Sequence, residues 1–184
     1  MSTKQPNATH SDLALQLLLA LDHARDILTD EGDPQEMFDS IADLLKTALK
    51  AEGCAIMLVA ETSDDIDCLV SPGVPDAIAV ELCRQAMELP APASLSESRW
   101  SYSLGMQIIL DDFPLGGIAL VRDTRPFDAD EIALLALAES QVDSAVIQAR
   151  MVWKLVQRNR ELEAIYEIDR LRDRTANESE LISS

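Results

Sequence analysis

Residues 102–110 read YSLGMQIIL and residues 113–121 read FPLGGIALV. Both runs have the apolar composition of strands, and only Asp111-Asp112 separates them. Two such runs joined by two residues are typical of a β-hairpin. Gly116-Gly117 in the second run indicates a β-bulge or a close approach of another backbone. The sequence therefore predicts an antiparallel hairpin over residues 102–121.

The segment after the hairpin has the pattern of a long helix. Asp128 and Glu131 are spaced as the N-cap and N3 residues of a capping box. Apolar residues then recur at helical spacing over residues 132–149. Because no glycine or proline follows Pro126, we expect the helix to continue through Leu162.

The segment before the hairpin predicts two strands and one helix. Residues 54–60, CAIMLVA, are apolar at every position, as expected of a central strand that is covered on both faces. Residues 67–71 predict a second, short strand, and residues 76–89 predict a helix with one apolar side. Pro90 and Pro92 then leave room only for a loop or an edge strand.

Two helices are predicted before the first strand. An apolar stripe begins after Ser11 and ends at Gly32, and Asp33-Pro34-Gln35-Glu36 has the residues of a second helix start. The order is therefore helix, helix, strand, strand, helix, hairpin, long helix. It predicts an α/β fold of the α+β kind, in which helices flank an antiparallel sheet and the N- and C-terminal helices are long.

The predicted domain covers residues 11–150. Residues 1–10 are polar and are predicted to be disordered, and residues 151–174 are predicted to form a linker helix that carries a signal. Residues 175–184 are interpreted as the start of a second domain of the same kind, in a longer tandem protein.

The second-domain interpretation depends on a weak internal repeat. Residues 161–184 align with residues 17–40 without a gap, and Asn177 and Glu180 repeat the pattern of a helix cap. The alternative is that any two segments made of a helix, a cap and a helix align this well.

Composition excludes several classes of partner. The 33 acidic and 15 basic side chains give a net charge of −18, which repels phosphate, so we expect neither nucleic acid nor an anionic membrane as partner. The uncharged run over residues 13–21 is too short to span a bilayer. Both histidines lie at positions 10 and 23, so the predicted domain body lacks the parts of a histidine triad or metal site.

The three cysteines are Cys54, Cys68 and Cys83, an odd number at wide and irregular spacing. Each lies inside an apolar pattern, which favours reduced thiols in the core over a disulfide framework or a zinc site. We therefore expect a cytoplasmic protein without cofactor or metal.

Residues 103–110, 117–120 and 127–135 together resemble the closing hairpin and last helix of the GAF domain, a small-ligand and dimerisation module of signalling proteins. The resemblance covers roughly residues 15–150. It implies a regulatory sensor module that has no catalytic activity of its own.

The functional signatures of three GAF groups are missing. Cyclic-nucleotide-binding members carry an Asn-Lys-x-x-x-Phe-x-x-x-Asp/Glu run, which is absent here. Bilin-binding members attach their chromophore to a cysteine usually followed by histidine, whereas Cys83 is followed by Arg84. Members that reduce free methionine sulfoxide need cysteines in loops, whereas the three cysteines here fall in predicted strands and a helix. A thiol-based reductase is thus a less favoured alternative.

The resemblance also implies where a ligand would bind, because the family's pocket lies between the sheet and the third helix with its following loop, which corresponds to residues 76–106 here. The side chains there that could line a cavity for a small carboxylate or planar molecule are Arg99, Trp100, Tyr102 and Met106. The alternative is that Trp100 and Tyr102 only fill the core.

Apolar residues on both terminal helices predict a parallel homodimer through residues 11–28 and 132–165. The interface residues proposed are Leu17, Leu21, Val152, Leu155 and Leu162. Such a stripe in water marks a partner site, although its spacing drifts from a strict heptad. A dimerisation scaffold that binds no ligand is the second functional hypothesis.

Overall fold

The residues that the computed structural model describes are 34–60, 65–95, 99–110 and 112–182. The predicted disordered N-terminus and the predicted first helix fall on residues 1–33, outside the described residues. The expectations for Leu17 and Leu21 therefore stay predictions.

Within the described residues, five strands form one sheet. They are β1 (Gly53–Val59), β2 (Ile66–Val70), β3 (Ala93–Ser94), β4 (Tyr102–Leu110) and β5 (Phe113–Arg122). Their order in the sheet is β2-β1-β5-β4-β3, and every neighbouring pair is antiparallel. The predicted hairpin is the β4–β5 pair, and β3 is the edge strand that the two prolines allow. The predicted antiparallel sheet is confirmed.

The described helices cover both faces of this sheet. They are α1 (Pro34–Ala48), α2 (Asp76–Met87) and α3 (Ala129–Ile182). On one face α1 and α3 pack against the strands, and Phe38, Ile118 and Leu135 belong to one buried cluster. On the other face α2 is the helix that packs among the described elements, and Leu82 and Ala119 belong to a second cluster. The two clusters account for the apolar runs in β1 and β5, whose side chains are needed on both faces.

Two β-bulges lie at the same end of the sheet, where β1 and β4 end. The register of the β1–β2 pair shifts after Leu58, which leaves Asp67 without a partner in the ladder. The register of the β4–β5 pair shifts after Ile108, which leaves Leu115 without one. A bulge breaks the regular pairing and redirects nearby groups, so this end of the sheet can present polar groups to a helix.

The start of α3 is fixed to the end of β5 by Arg122, whose side chain is fully buried. All five of its N–H groups donate hydrogen bonds. The acceptors are the carbonyl oxygens of Leu49, Arg125 and Pro126 and both carboxylate oxygens of Glu131. The guanidinium also lies 3.9 Å above the centre of the Phe127 ring. One side chain therefore joins the end of α1, the end of β5 and the first turn of α3.

The predicted capping box is confirmed at the same place. The Glu131 backbone N–H donates to Asp128 Oδ1 over 2.9 Å, and the Asp128 backbone N–H donates to Glu131 Oε2 over 3.0 Å. Burial alone would raise the pKa of Glu131, but hydrogen bonds from Arg122, from the Asp128 backbone and from Arg125 outweigh it and lower this pKa to about 2.

Helix α3 leaves the domain close to the predicted boundary. Ala149 and Arg150 are buried, whereas every described side chain from Arg158 onward is exposed. The helix runs without a break through Asn177, so the predicted helix start at that residue is wrong. The cap pattern at Asn177 involves only a few neighbouring residues. It does not interrupt a long helix that contains no glycine or proline. The second-domain hypothesis itself stays a prediction.

Candidate functional site

The predicted ligand pocket falls between α2 and the sheet. The side chains that meet there are fully buried or nearly so, among them Leu82 and Cys83 of α2 and Met57 and Ala119 of the strands. The helix lies on the strands as a layer of the core, held by apolar contacts.

Two glycines show how closely α2 approaches the strands. A Cβ atom on Gly117 would overlap the carbonyl oxygen of Cys83, and one on Gly105 would lie 3.0 Å from the Ala86 Cβ. Carbon atoms in favourable contact lie about 3.5–4.0 Å apart. At both positions the helix is therefore already in contact with strand backbone, and no ligand fits between them. The close backbone approach predicted from Gly116-Gly117 is confirmed, and the bulge at Leu115 adjoins it.

The four predicted ligand residues do not line one cavity. Trp100 is half-buried and packs on the α2 side of the sheet, whereas Met106 is fully buried on the opposite face, among side chains of α1 and α3. Arg99 is exposed, and Tyr102 is 36% exposed at the start of β4. Because side chains alternate along a strand, Tyr102 and Met106 of β4 share one face, whereas Trp100 precedes the strand and packs against the cluster on the other face.

The thiols lie in surroundings that keep them protonated. Burial raises the pKa of Cys83 to about 12 and that of Cys68 to about 11, and burial also raises the pKa of Cys54. All three are free thiols, and Cys54 and Cys83 belong to clusters on opposite faces of the sheet. A thiol needs a lowered pKa to act as a nucleophile, so this arrangement does not favour thiol chemistry. Across the described ranges, no three His, Cys, Asp or Glu side chains form a group that could hold a metal ion.

An ion pair holds α3 against the bulge in β2. Arg150 is 4% exposed, and its Nε and one terminal nitrogen donate to Asp67 Oδ2 over 3.2 and 3.0 Å. The same terminal nitrogen donates to the carbonyl oxygen of Val59 over 2.7 Å. Asp67 can make this contact because the bulge removes it from the ladder.

A carboxyl group holds α3 near the second bulge. Asp143 lies seven residues before Arg150 on α3, and its carboxyl group faces the backbone N–H of Ile109 in β4. Ile109 is paired with Pro114, which has no backbone N–H to contribute to the ladder. Burial raises the pKa of Asp143 to about 7, and the Glu139 carboxylate one turn away adds to this increase, while the Ile109 backbone N–H acts to lower it.

Beyond these contacts, α3 exposes a stripe of large apolar side chains. Leu155 is 65% exposed and Leu162 is 59% exposed, and Met151 and Ile165 are exposed to a similar extent. Val152, the third predicted interface residue on this helix, is half-buried. The predicted interface residues on α3 are therefore placed where a partner could reach them.

Helix α3 also carries apolar residues outside this stripe. Residues 129–168 are long and apolar enough to cross a membrane by length and composition alone, with a mean hydropathy of 1.2 in the best window. That window is 39% buried inside the domain, and Leu135 and Val142 are fully buried against the sheet. The core helix of a water-soluble protein gives the same signal, and core packing accounts for the apolar residues in the first half of α3.

The sequence did not single out the residues that hold α3 in place. Asp143 and Arg150 are charged residues set within a stretch whose apolar residues predict a buried helix face. A charged residue that interrupts such a stretch is a signal for a buried partner, because an unpaired charge there is costly. Their partners, Asp67 and the Ile109 backbone, lie at strand bulges. Gly116-Gly117 indicates the bulge in β5, whereas the sequence does not mark the bulge in β2.

Comparisons with known proteins identify the fold of this chain. No family model matches the sequence, and none of the curated proteins matches it. Among solved structures, the GAF domain of an Acinetobacter phosphoenolpyruvate-protein phosphotransferase has a TM-score of 0.55 at 13% identity, covering 74% of this chain and 96% of that one. The chain has a GAF-like fold.

Two further structures show that proteins of different function share this fold. The GAF domain of a protein assigned as a sensor histidine kinase from Pseudomonas syringae has a TM-score of 0.51 at 15% identity, covering 86% of this chain and 96% of that one. A free methionine-R-sulfoxide reductase from Neisseria meningitidis has a TM-score of 0.55 at 16% identity, covering 75% and 92%. Regulatory domains and an enzyme share the GAF fold, so function must be argued from the residues of this chain.

Proposed function

We propose that this chain is a non-catalytic regulatory module of a signal-transduction protein. It works as a parallel homodimer and passes a change in the domain to a downstream partner through α3. The observation that carries the proposal is the exposed stripe of Met151, Leu155, Leu162 and Ile165 on a helix that extends past the domain.

The occupant proposed for this stripe is a second copy of the same helix. The four residues are spaced by four, seven and three positions, the spacing of the a and d positions of a heptad. Arg158 takes the seam position between Leu155 and Leu162, so apolar layers on both sides of it would hold the pair. The part of α3 after residue 150 is 32 residues long, or about 48 Å at 1.5 Å per residue. A single helix of that length gains stability mainly by packing against a partner.

The geometry favours a dimerising module over uptake of a ligand between α2 and the sheet. Gly105 and Gly117 bring the helix into contact with the strands, and the four residues predicted to line a pocket are divided between the two faces. Binding of a small molecule at Arg99, Trp100, Tyr102 and Met106 is thus the less favoured form of the sensor hypothesis. A thermal-shift screen against small metabolites tests it.

The same residues support a module without catalysis in a reducing compartment. The protonated thiols of Cys54 and Cys83 are poor nucleophiles, and free cysteines fit the cytoplasm better than an oxidising space. The net charge of −18 argues against nucleic acid and an anionic membrane as partners.

Sedimentation equilibrium at tens of micromolar tests the homodimer. We expect a mass of twice 20.2 kDa for the wild-type chain and a strong shift to monomer for Leu155→Glu. Burial of one leucine side chain is worth about 1.5–3 kcal/mol, so loss of two copies per dimer weakens association by about 100- to 10,000-fold.

Arg160→Glu is the matched control, because Arg160 lies on the opposite side of the heptad and is exposed. It should leave the dimer intact. A wild-type chain that sediments as a 20.2 kDa species would refute the proposal, as would equal weakening by both variants.

A further inference from the structure

Two contacts hold α3 to the bulged end of the sheet just before the helix leaves the domain. The Arg150–Asp67 ion pair secures it to β2, and the Asp143 carboxyl group meets the Ile109 backbone N–H of β4. The two side chains are seven residues apart on α3, and they point to the same side of the helix.

The two contacts differ in whether an opposite charge is present. Arg150 and Asp67 carry opposite charges and are joined by two hydrogen bonds. At Asp143 the Oδ1 atom is buried and has no hydrogen-bond partner among the described residues. A buried carboxylate oxygen without a donor is costly, whereas a neutral carboxyl group in the same place costs much less.

The charged groups around Asp143 do not compensate for its ionisation. Glu139 on α3 is the described group that acts on it, and its like charge opposes ionisation. Strands β4 and β5 carry one ionisable side chain each, Tyr102 and Arg122, and Arg122 is fully engaged with Glu131 at the opposite end of β5. The hairpin turn adds the exposed Asp112. Helix α1 carries three exposed acidic side chains, Glu36, Asp39 and Asp43, and one basic side chain, Lys46, which is paired with Asp43 over 3.5 Å.

We propose that Asp143 is a proton switch in this domain: its neutral form seats α3 against the β4–β5 hairpin, and its ionisation loosens that contact because the buried Oδ1 atom has no donor among the described residues. The ionised carboxylate has two oxygens that need donors and one described donor, the Ile109 N–H. Water must then enter, or the helix must shift, to solvate Oδ1. The Arg150–Asp67 pair, one turn from the exit, keeps the helix attached in both states. The inference does not depend on dimerisation.

The test measures the titration of the carboxyl group itself in the full chain. Carbon-13 NMR of the side-chain carboxyl of Asp143 should show a midpoint within about one pH unit of 7, well above the ordinary 3.8 of an aspartate. Glu139→Gln removes the like charge one turn away and should lower this midpoint. A purely structural role for Glu139 would leave the midpoint where it is.

Amide hydrogen exchange reports the consequence for the helix. Asp143 changes from mostly neutral to mostly ionised across a pKa of about 7, so protection of the α3 amides around Asp143 should fall on the order of tenfold between pH 6 and pH 8, beyond the intrinsic pH dependence of exchange. Asp143→Asn should remove this extra dependence. Asp112→Asn, which removes an exposed carboxyl group from the β4–β5 hairpin, should retain it.

The pH midpoint of the Asp143 titration is measured in the wild-type chain, so it tests the proposal even where a variant folds poorly. A midpoint for Asp143 below pH 5 in the wild-type chain would overturn the proposal. An extra pH dependence of exchange that persists in Asp143→Asn would overturn it as well.

Discussion

Replacing Glu131 by glutamine should destabilise the domain strongly while leaving its shape unchanged. Glu131 accepts two hydrogen bonds from the buried Arg122, at 3.1 and 2.5 Å, and closes the capping box with Asp128. Glutamine has nearly the same size, so the substitution removes a charge and one acceptor and creates no cavity. It leaves the guanidinium of Arg122 buried without a counter-charge, which is the costly way to break a buried ion pair.

The magnitude follows from the pKa of Glu131, which is lowered from 4.5 to about 2. This difference corresponds to about 3 kcal/mol of stabilisation of the folded state at neutral pH. Loss of one partner of a buried pair costs about 3–5 kcal/mol in other proteins, which agrees in size. For a chain of 184 residues, we expect the midpoint of thermal unfolding to fall by about 6–12 °C.

Urea unfolding followed by circular dichroism, at one protein concentration and several pH values, measures the effect. A carboxyl group whose pKa is lowered on folding stabilises the protein above its unfolded pKa and loses that contribution as pH falls through the folded value. The difference between wild type and Glu131→Gln should therefore be constant from pH 7 to pH 5. By pH 3 less than half of it should remain.

Glu163→Gln is the matched control, because Glu163 is an exposed glutamate on the same helix, beyond the domain. It should change the free energy of unfolding by less than about 0.5 kcal/mol. A Glu131→Gln variant within 1 kcal/mol of wild type at pH 7 would refute the reasoning. A difference that grows on acidification would refute it too, because the sign of the linkage would be reversed.

Three further outcomes are expected from single changes elsewhere. Gly117→Ala should lower the free energy of unfolding in urea by about 1–3 kcal/mol, because the new methyl group meets the backbone of α2. Cys54 and Cys83 should resist iodoacetamide in the native protein and react fully in urea, since both thiols are buried. Asp143→Asn should raise the free energy of unfolding at pH 8 by about 1–2 kcal/mol, and should leave it unchanged at pH 3.5, where the neutral carboxyl group is already tolerated.

Most of the described fold was predictable because its signals are local. The β4–β5 hairpin follows from two apolar runs and a two-residue turn, and the start of α3 follows from a capping box whose two hydrogen bonds are present. Each depends on residues within a few positions of one another. The helix start predicted at Asn177 was wrong. A local cap pattern does not end a helix that has no helix-breaking residue near it.

The candidate site was less predictable because it depends on which face of the sheet each side chain occupies. Met106 lies in the same strand as Tyr102, and the sequence alone did not show that Trp100 packs on the other face. The contacts of Arg150 with Asp67 and of Asp143 with Ile109 join residues that are 83 and 34 positions apart. Each also needs a bulge that removes one residue from a ladder, and no residue type encodes that position uniquely.

The two ends of the domain's portion of α3 are held differently, and this difference indicates how the helix could transmit a change. At its start, the five donors of Arg122 are satisfied and the capping box is closed. Near its exit, the helix is held by apolar packing, by ion pairs of Arg150 and Lys154 with Asp67, and by the half-satisfied carboxyl group of Asp143. Titration of Asp143 would therefore alter the exit of the helix and leave its start in place. Hydrogen exchange should therefore show protection around Glu131 that is independent of pH from 6 to 8, while protection around Asp143 changes.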